Sequence, residues 1–199
     1  EVTITQEALT SGNAYADGFS TAVKVDVTTA DASLGAAQRS WIETKLEAQN
    51  LQVIKKGTAN AEKLTLSFWI KATKTGTNVV RMYANDSDRS CSQAYTVSST
   101  DTWEHKVLNY PADTTGVIDN NNDTGLTLTW AIGVGSAFTS GTLATVWETN
   151  TTANDFVGQV NNLDSTSNNF HITGVKLDVG EYTSSDLPPF RHESYADNL

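Results

Sequence analysis

The chain is short of the residues that staple small folds together. Of its 199 residues only Cys91 is a cysteine, which excludes an intramolecular disulfide and a cysteine-based zinc site. No histidine lies within a few positions to activate Cys91 as a nucleophile, so it reads as a half-buried strand residue. Proline is scarce too, at three residues, and two of them stand together at Pro188-Pro189. Long apolar runs are missing. Nothing approaches the ~18 residues of a membrane-crossing helix, so no membrane insertion is expected. Positive charge is sparse and scattered: 13 Lys and Arg face 23 Asp and Glu, for a net charge of −10. Lys55-Lys56 is the only adjacent basic pair. A nucleic-acid binder needs a basic patch, so no nucleic acid is expected as a partner.

Apolar residues make up 38% of the chain, below the usual share, and Thr, Ser, Asn and Gly fill the balance. That composition suits short strands with polar outer faces and polar loops. The patterning agrees. Val23, Val25 and Val27 alternate with Lys24 and Asp26. Leu64, Leu66, Phe68 and Ile70 alternate with Thr65, Ser67, Trp69 and Lys71. Leu126, Leu128, Trp130 and Ile132 alternate with Thr127, Thr129 and Ala131. Period two marks strands with one face on a core. Further strands are expected at Trp41–Glu47, Gln52–Lys55, Asn78–Asn85, Ser92–Val97, Trp103–Tyr110 and Phe170–Val179. In the last of these, Phe170 and Ile172 share one parity, and Val175, Leu177 and Val179 the other. A β-bulge at Gly174 would keep both halves on the core.

The segment 32–39 reads as a loop, and 137–160 as a long surface excursion with short strands. Ten or so strands without intervening helices predict an all-β fold: a jelly-roll β-sandwich of two antiparallel sheets, like a carbohydrate-binding module. Leu66, Phe68, Ile70, Leu128, Trp130 and Ile132 are its expected core. The sandwich should occupy residues 1–183. Residues 184–199 then form an extended tail, whose apolar anchors Leu187, Phe190 and Tyr195 should dock in a groove on this sandwich or a neighbour's.

Catalytic patterns are absent. The histidines are His105, His171 and His192, none is spaced from another as a metal pair, and no Gly-x-Ser-x-Gly occurs. His105 reads as a packed, hydrogen-bonded side chain. Carboxylates are plentiful, but most lie in turns, where they cap backbone groups. Asp119, Asn121 and Asp123 place oxygen donors at alternate positions, as a calcium loop does. The glycine of that segment, Gly125, comes one place late, and Trp130 stands where a bidentate Glu belongs. The segment therefore reads as an Asn/Asp turn, with these three the residues to which calcium would go; no cofactor is expected. Trp69 and Trp41 fall on the polar parity of their strands. Each either stacks on a sugar ring or fills a subunit contact, against the alternative of packing under another layer.

Three segments together resemble a family of virion-associated proteins of marine tailed bacteriophages, described as tail-fibre or carbohydrate-binding-like. The first runs through Lys45-Leu46-Glu47-Ala48-Gln49-Asn50-Leu51-Gln52 to Leu64-Thr65-Leu66-Ser67-Phe68-Trp69-Ile70-Lys71. The second is Thr102-Trp103-Glu104-His105-Lys106 with Pro111-Ala112-Asp113-Thr114-Thr115-Gly116. The third is Ile172-Thr173-Gly174-Val175-Lys176-Leu177-Asp178-Val179-Gly180 with Pro189-Phe190-Arg191-His192-Glu193-Ser194-Tyr195. The resemblance implies a non-enzymatic module on the virion surface, attaching to host-surface glycan as part of a tail fibre or similar appendage. A purely structural capsid decoration or knob is the alternative. It also implies other virion proteins as partners and a homo-oligomer, threefold as phage fibres and spikes commonly are. Because the chain opens directly on strand-like Glu1-Val2-Thr3-Ile4 and related chains continue past Leu199, a fragment or processed form is expected.

Overall fold

A computed structural model gives the structure and describes residues 1–192. The strands are β1 (Val2–Ala8), β2 (Thr21–Val27), β3 (Arg39–Glu47), β4 (Leu64–Ala72), β5 (Gly76–Ala84), β6 (Arg89–Val97), β7 (Glu104–Tyr110), β8 (Thr124–Val134), β9 (Glu148–Thr149) and β10 (Asn169–Val179). They form two antiparallel five-stranded sheets, in the orders β1-β2-β10-β4-β7 and β3-β8-β5-β6-β9. The fold is an all-β jelly-roll sandwich.

The period-two patterns decide which side chains meet between the sheets. Leu66, Phe68 and Ile70 project inward from β4, and Leu128, Trp130 and Ile132 from β8; all six are buried. Phe68 meets Trp130 edge-on at 5.6 Å and Tyr95 at 5.2 Å between ring centroids. Such edge-to-face pairs add about 0.5–1.5 kcal/mol beyond the area they bury. Cys91 lies on the inner face of β6, fully buried, and that burial pushes its thiol pKa up to about 12. It is an inert core side chain.

The face switch in β10 occurs at Gly174. Register against β4 shifts between Thr173 and Lys176, so Phe170 and Ile172 before it and Leu177 and Val179 after it all pack on the core. Gly174 has φ +60°, and a Cβ there would stand 2.6 Å from Phe19 Cζ. Only glycine fits both the backbone and the space.

One expected strand is corrected. Gln52–Lys55 is no strand: a 3-10 segment covers Ala48–Ile54. Its buried residues are Ala48, Leu51 and Ile54, spaced by three, which matches three residues per turn and not the alternation of a strand.

Charged groups are buried at one end of the sandwich. Lys56 Nζ donates to Gly116 O and to Asp113 Oδ2, and Arg89 Nε donates to the same carboxylate at 2.8 Å. Asp113 Oδ1 accepts from the Thr115 and Gly116 N–H groups, so each carboxylate oxygen is engaged.

Candidate functional site: the outer face of the first sheet

β4 is buried along nearly its whole length on both faces, although its outward residues are Thr65, Ser67, Trp69 and Lys71. Its outer face is covered by two pieces of chain from opposite ends of the sequence. The first is the lobe from Leu9 to Phe19, a loop around one helical turn, Asn13–Ala16. Leu9, Ala14 and Phe19 pack with Ala22, Trp69 and Trp103 in a small cluster of their own. The second is the segment after β10. Thr183 closes a turn by donating from N–H to Asp186 Oδ1 at 2.6 Å, and Leu187 N–H returns to Thr183 O at 3.0 Å. Pro188 and Pro189 then hold the chain extended. Lys176 Nζ grips it through the Pro188 carbonyl at 2.6 Å. Phe190 packs edge-on against Phe19 at 4.8 Å, and His192 Nε2 lies 3.0 Å from Asp17 O. Gly18, at φ +95°, is where lobe and tail come closest: a Cβ there would stand 2.9 Å from His192 Nε2.

Between lobe, sheet and tail lies a cleft of about 380 Å³. That is within the about 300–1,000 Å³ typical of small-molecule sites. Its floor is the cross-strand pair of Trp69 on β4 and His105 on β7, whose rings stack at 5.0 Å and 28°. Asp17, Ser67, Lys176 and His192 set polar groups around that floor. Partial desolvation within the cleft holds the His105 imidazole below its ordinary pKa, against the pull of Asp17, although the side chain as a whole stays exposed. At neutral pH the ring is therefore uncharged and offers one N–H donor and one nitrogen acceptor. Asp17 is the single carboxylate that lines the cleft among the described residues. What the arrangement offers is an aromatic floor with hydroxyl, ammonium and imidazole groups at its rim, the chemistry that holds a sugar ring by stacking and hydrogen bonds.

The sequence-expected residues separate in space. Trp69 lies under the lobe and is 9% exposed, its outward parity answered by chain from its own subunit. Trp41 is half-buried on the outer face of the other sheet, where Phe138 and Phe156 of the 137–160 excursion stand 6.0 and 6.1 Å away. Arg39 lies over its ring at 5.0 Å. Leu187 lines the cleft and Phe190 docks on Phe19, both on this chain's own sandwich; Tyr195 lies outside the described residues. His105 is not the packed, hydrogen-bonded side chain expected: it is exposed, because its strand parity points outward and its neighbour there is the Trp69 ring. His171 is buried on the same sheet face, with Nδ1 against Glu7 Oε2 and Nε2 3.0 Å from Asn169 Oδ1. Asn121 and Asp123 are engaged with each other in their turn, and Asp119 N–H donates to Asp86 Oδ2. No group of three His, Cys, Asp or Glu side chains that could hold a metal occurs among the described residues.

No protein-family model matches the sequence, and no curated protein matches it. Among solved structures the chain is similar to the enzymatically active domain of tailspike protein 4 of bacteriophage CBA120. Identity is 14% and the TM-score 0.45, over 89% of this chain but only 18% of that one. It is also similar to a CBM4 structure, at 13% identity and a TM-score of 0.40, over 79% of this chain and 83% of that one.

Proposed function

We propose that this chain is a non-enzymatic sugar-binding module of a bacteriophage particle, displayed on the virion surface and holding host-surface glycan in the cleft over Trp69 and His105. The observation that carries the binding reading is the stacked Trp69–His105 floor, ringed by Ser67, Asp17 and Lys176 within about 380 Å³. Among the described residues Asp17 is the one carboxylate at that rim. The placement on a virion, in a tail fibre or similar appendage among other virion proteins, rests on the sequence resemblance.

The test is a glycan array probed with the wild-type chain and with His105→Ala. Binding that the variant loses, with no release of reducing ends from the bound glycan, is the expected result. The near-complete burial of Trp69 favours a second reading, a structural capsid decoration or knob in which the cleft is only packing. Absence of glycan binding, or binding that His105→Ala leaves intact, decides against the cleft.

A further inference from the structure

A sandwich of two open sheets has four edges, and here they belong to β1, β7, β3 and β9. Exposed edges invite pairing with another chain, and proteins blunt them with charge, proline, bulges or short length. Three of the four are blunted. β9 is two residues long. β7 carries Glu104 and Lys106, which pair with each other at 2.6 Å along the strand. β3 carries exposed Arg39, Glu43, Lys45 and Glu47. β1 is blunted least: its only charge is Glu7, near its end. Its seven residues pair with β2 without a register shift, and Val2 through Gln6 hold no charge and no proline. Its one charged side chain, Glu7, is held by His171 and Lys71. Beside this edge an apolar groove of about 860 Å³ opens between the sheets, with Ile42 and Leu46 of β3 on its far wall. Ile4, Val23 and Val175 stand exposed at its mouth, at 62%, 40% and 38%.

We propose that β1 is a homodimer edge, pairing antiparallel with β1 of a second copy about a twofold axis at Ile4. The strand is self-complementary about that point. Ile4 faces Ile4 of the second copy, Thr3 faces Thr5 and Val2 faces Gln6, so an apolar pair flanked by Thr–Thr pairs lies at the centre; Glu1 stands opposite Glu7 at each end, where His171 and Lys71 offset the Glu7 charge. A chain with net charge −10 repels its copies, and β1 offers them five successive neutral residues along which to approach. Pairing joins the two first sheets into one of ten strands and shelters the Ile4 side chains at the groove mouth. The contact is twofold, not the threefold one the resemblance implies.

Sedimentation of the wild-type chain should give a concentration-dependent species of twice the monomer mass. Ile4→Lys and Thr3→Lys should each return it to monomer with an unchanged circular dichroism spectrum. Both positions are exposed, and Thr3 pairs with Asp26 of β2, which tolerates the new charge. Facing Cα atoms in an antiparallel pair are about 4.5–5.5 Å apart, within disulfide reach. Mild oxidation should therefore cross-link Ile4→Cys into a dimer and leave Val53→Cys, at an exposed site remote from β1, as monomer. A wild-type monomer at the highest soluble concentration overturns the proposal. So does a dimer that both lysine variants leave intact, or an Ile4→Cys chain that cross-links no faster than Val53→Cys.

Discussion

Lys56 Nζ lies 2.6 Å from Asp113 Oδ2, and the two side chains are only 3% and 2% exposed. Burial acts to raise the Asp113 pKa, but hydrogen bonds from Arg89, Lys56 and the Thr115 N–H outweigh it and hold the carboxyl below its ordinary value. Removing the carboxylate leaves two cations without their counter-charge, with only neutral acceptors such as Gly116 O and Trp147 O. Asp113→Ala should therefore cost about 3–5 kcal/mol in urea unfolding. The pH dependence has a definite sign. A depressed carboxyl stabilises the fold above the ordinary aspartate pKa, and that contribution fades as pH falls through the folded value. The stability gap between wild type and Asp113→Asn should be widest near neutrality and close in acid, read by unfolding at a series of pH values.

His105→Ala separates binding from folding. The ring is exposed, so thermal unfolding should barely change, while affinity for the bound glycan should fall about tenfold, or ~1.4 kcal/mol. Because His105 is held below its ordinary pKa, wild-type affinity should stay flat from pH 8 to about 6.5 and decline below that as the nitrogen acceptor is lost. Calorimetric titration across that range checks both statements.

Gly174→Ala strikes the bulge. An alanine at φ +60° costs about 1–2 kcal/mol in backbone strain alone, and its Cβ would drive Phe19 out of its seat. The expected result is a loss of about 2 kcal/mol or more, with faster proteolytic cutting in the 9–20 lobe than in the rest of the chain.

Trp41→Ala should act on stability and leave cleft binding alone, since Trp41 lies on the opposite face of the sandwich. Its ring packs on Phe138 and Phe156 but is half-exposed, so the cost should be about 2 kcal/mol, below the about 3–5 of a fully buried aromatic. Parallel melting and binding curves distinguish the two effects.

Alternation made the sandwich legible. Where Leu66, Phe68 and Ile70 share a parity, only one face can turn to the core, and the glycine between two parities in β10 marked the bulge. The same rule placed Trp69 off that core. It could not show what covers Trp69, because the 9–20 lobe has no period of its own and acquires its structure from Trp69 and Trp103. The 3-10 segment was missed for a related reason: Gln52-Val53-Ile54-Lys55 alternates by chance over four residues, too few to tell period two from period three. His105 and Lys176 gave only strand parity. Their meeting with Asp17 and His192 is long-range, and local pattern says nothing about such encounters.

The contact of His192 with Asp17 spans 175 residues of chain. During synthesis β1 through β10 have emerged before the segment 184–192 that roofs the cleft, so these strands can pair while the cleft still lacks its roof. Any event that frees the tail, whether early arrest of synthesis or a protease cut near Ser184, leaves a chain that retains β1 through β10 and lacks the roof. Abundance and competence of this protein are thereby separable: an assay of folded mass counts such chains, and an assay of the cleft does not.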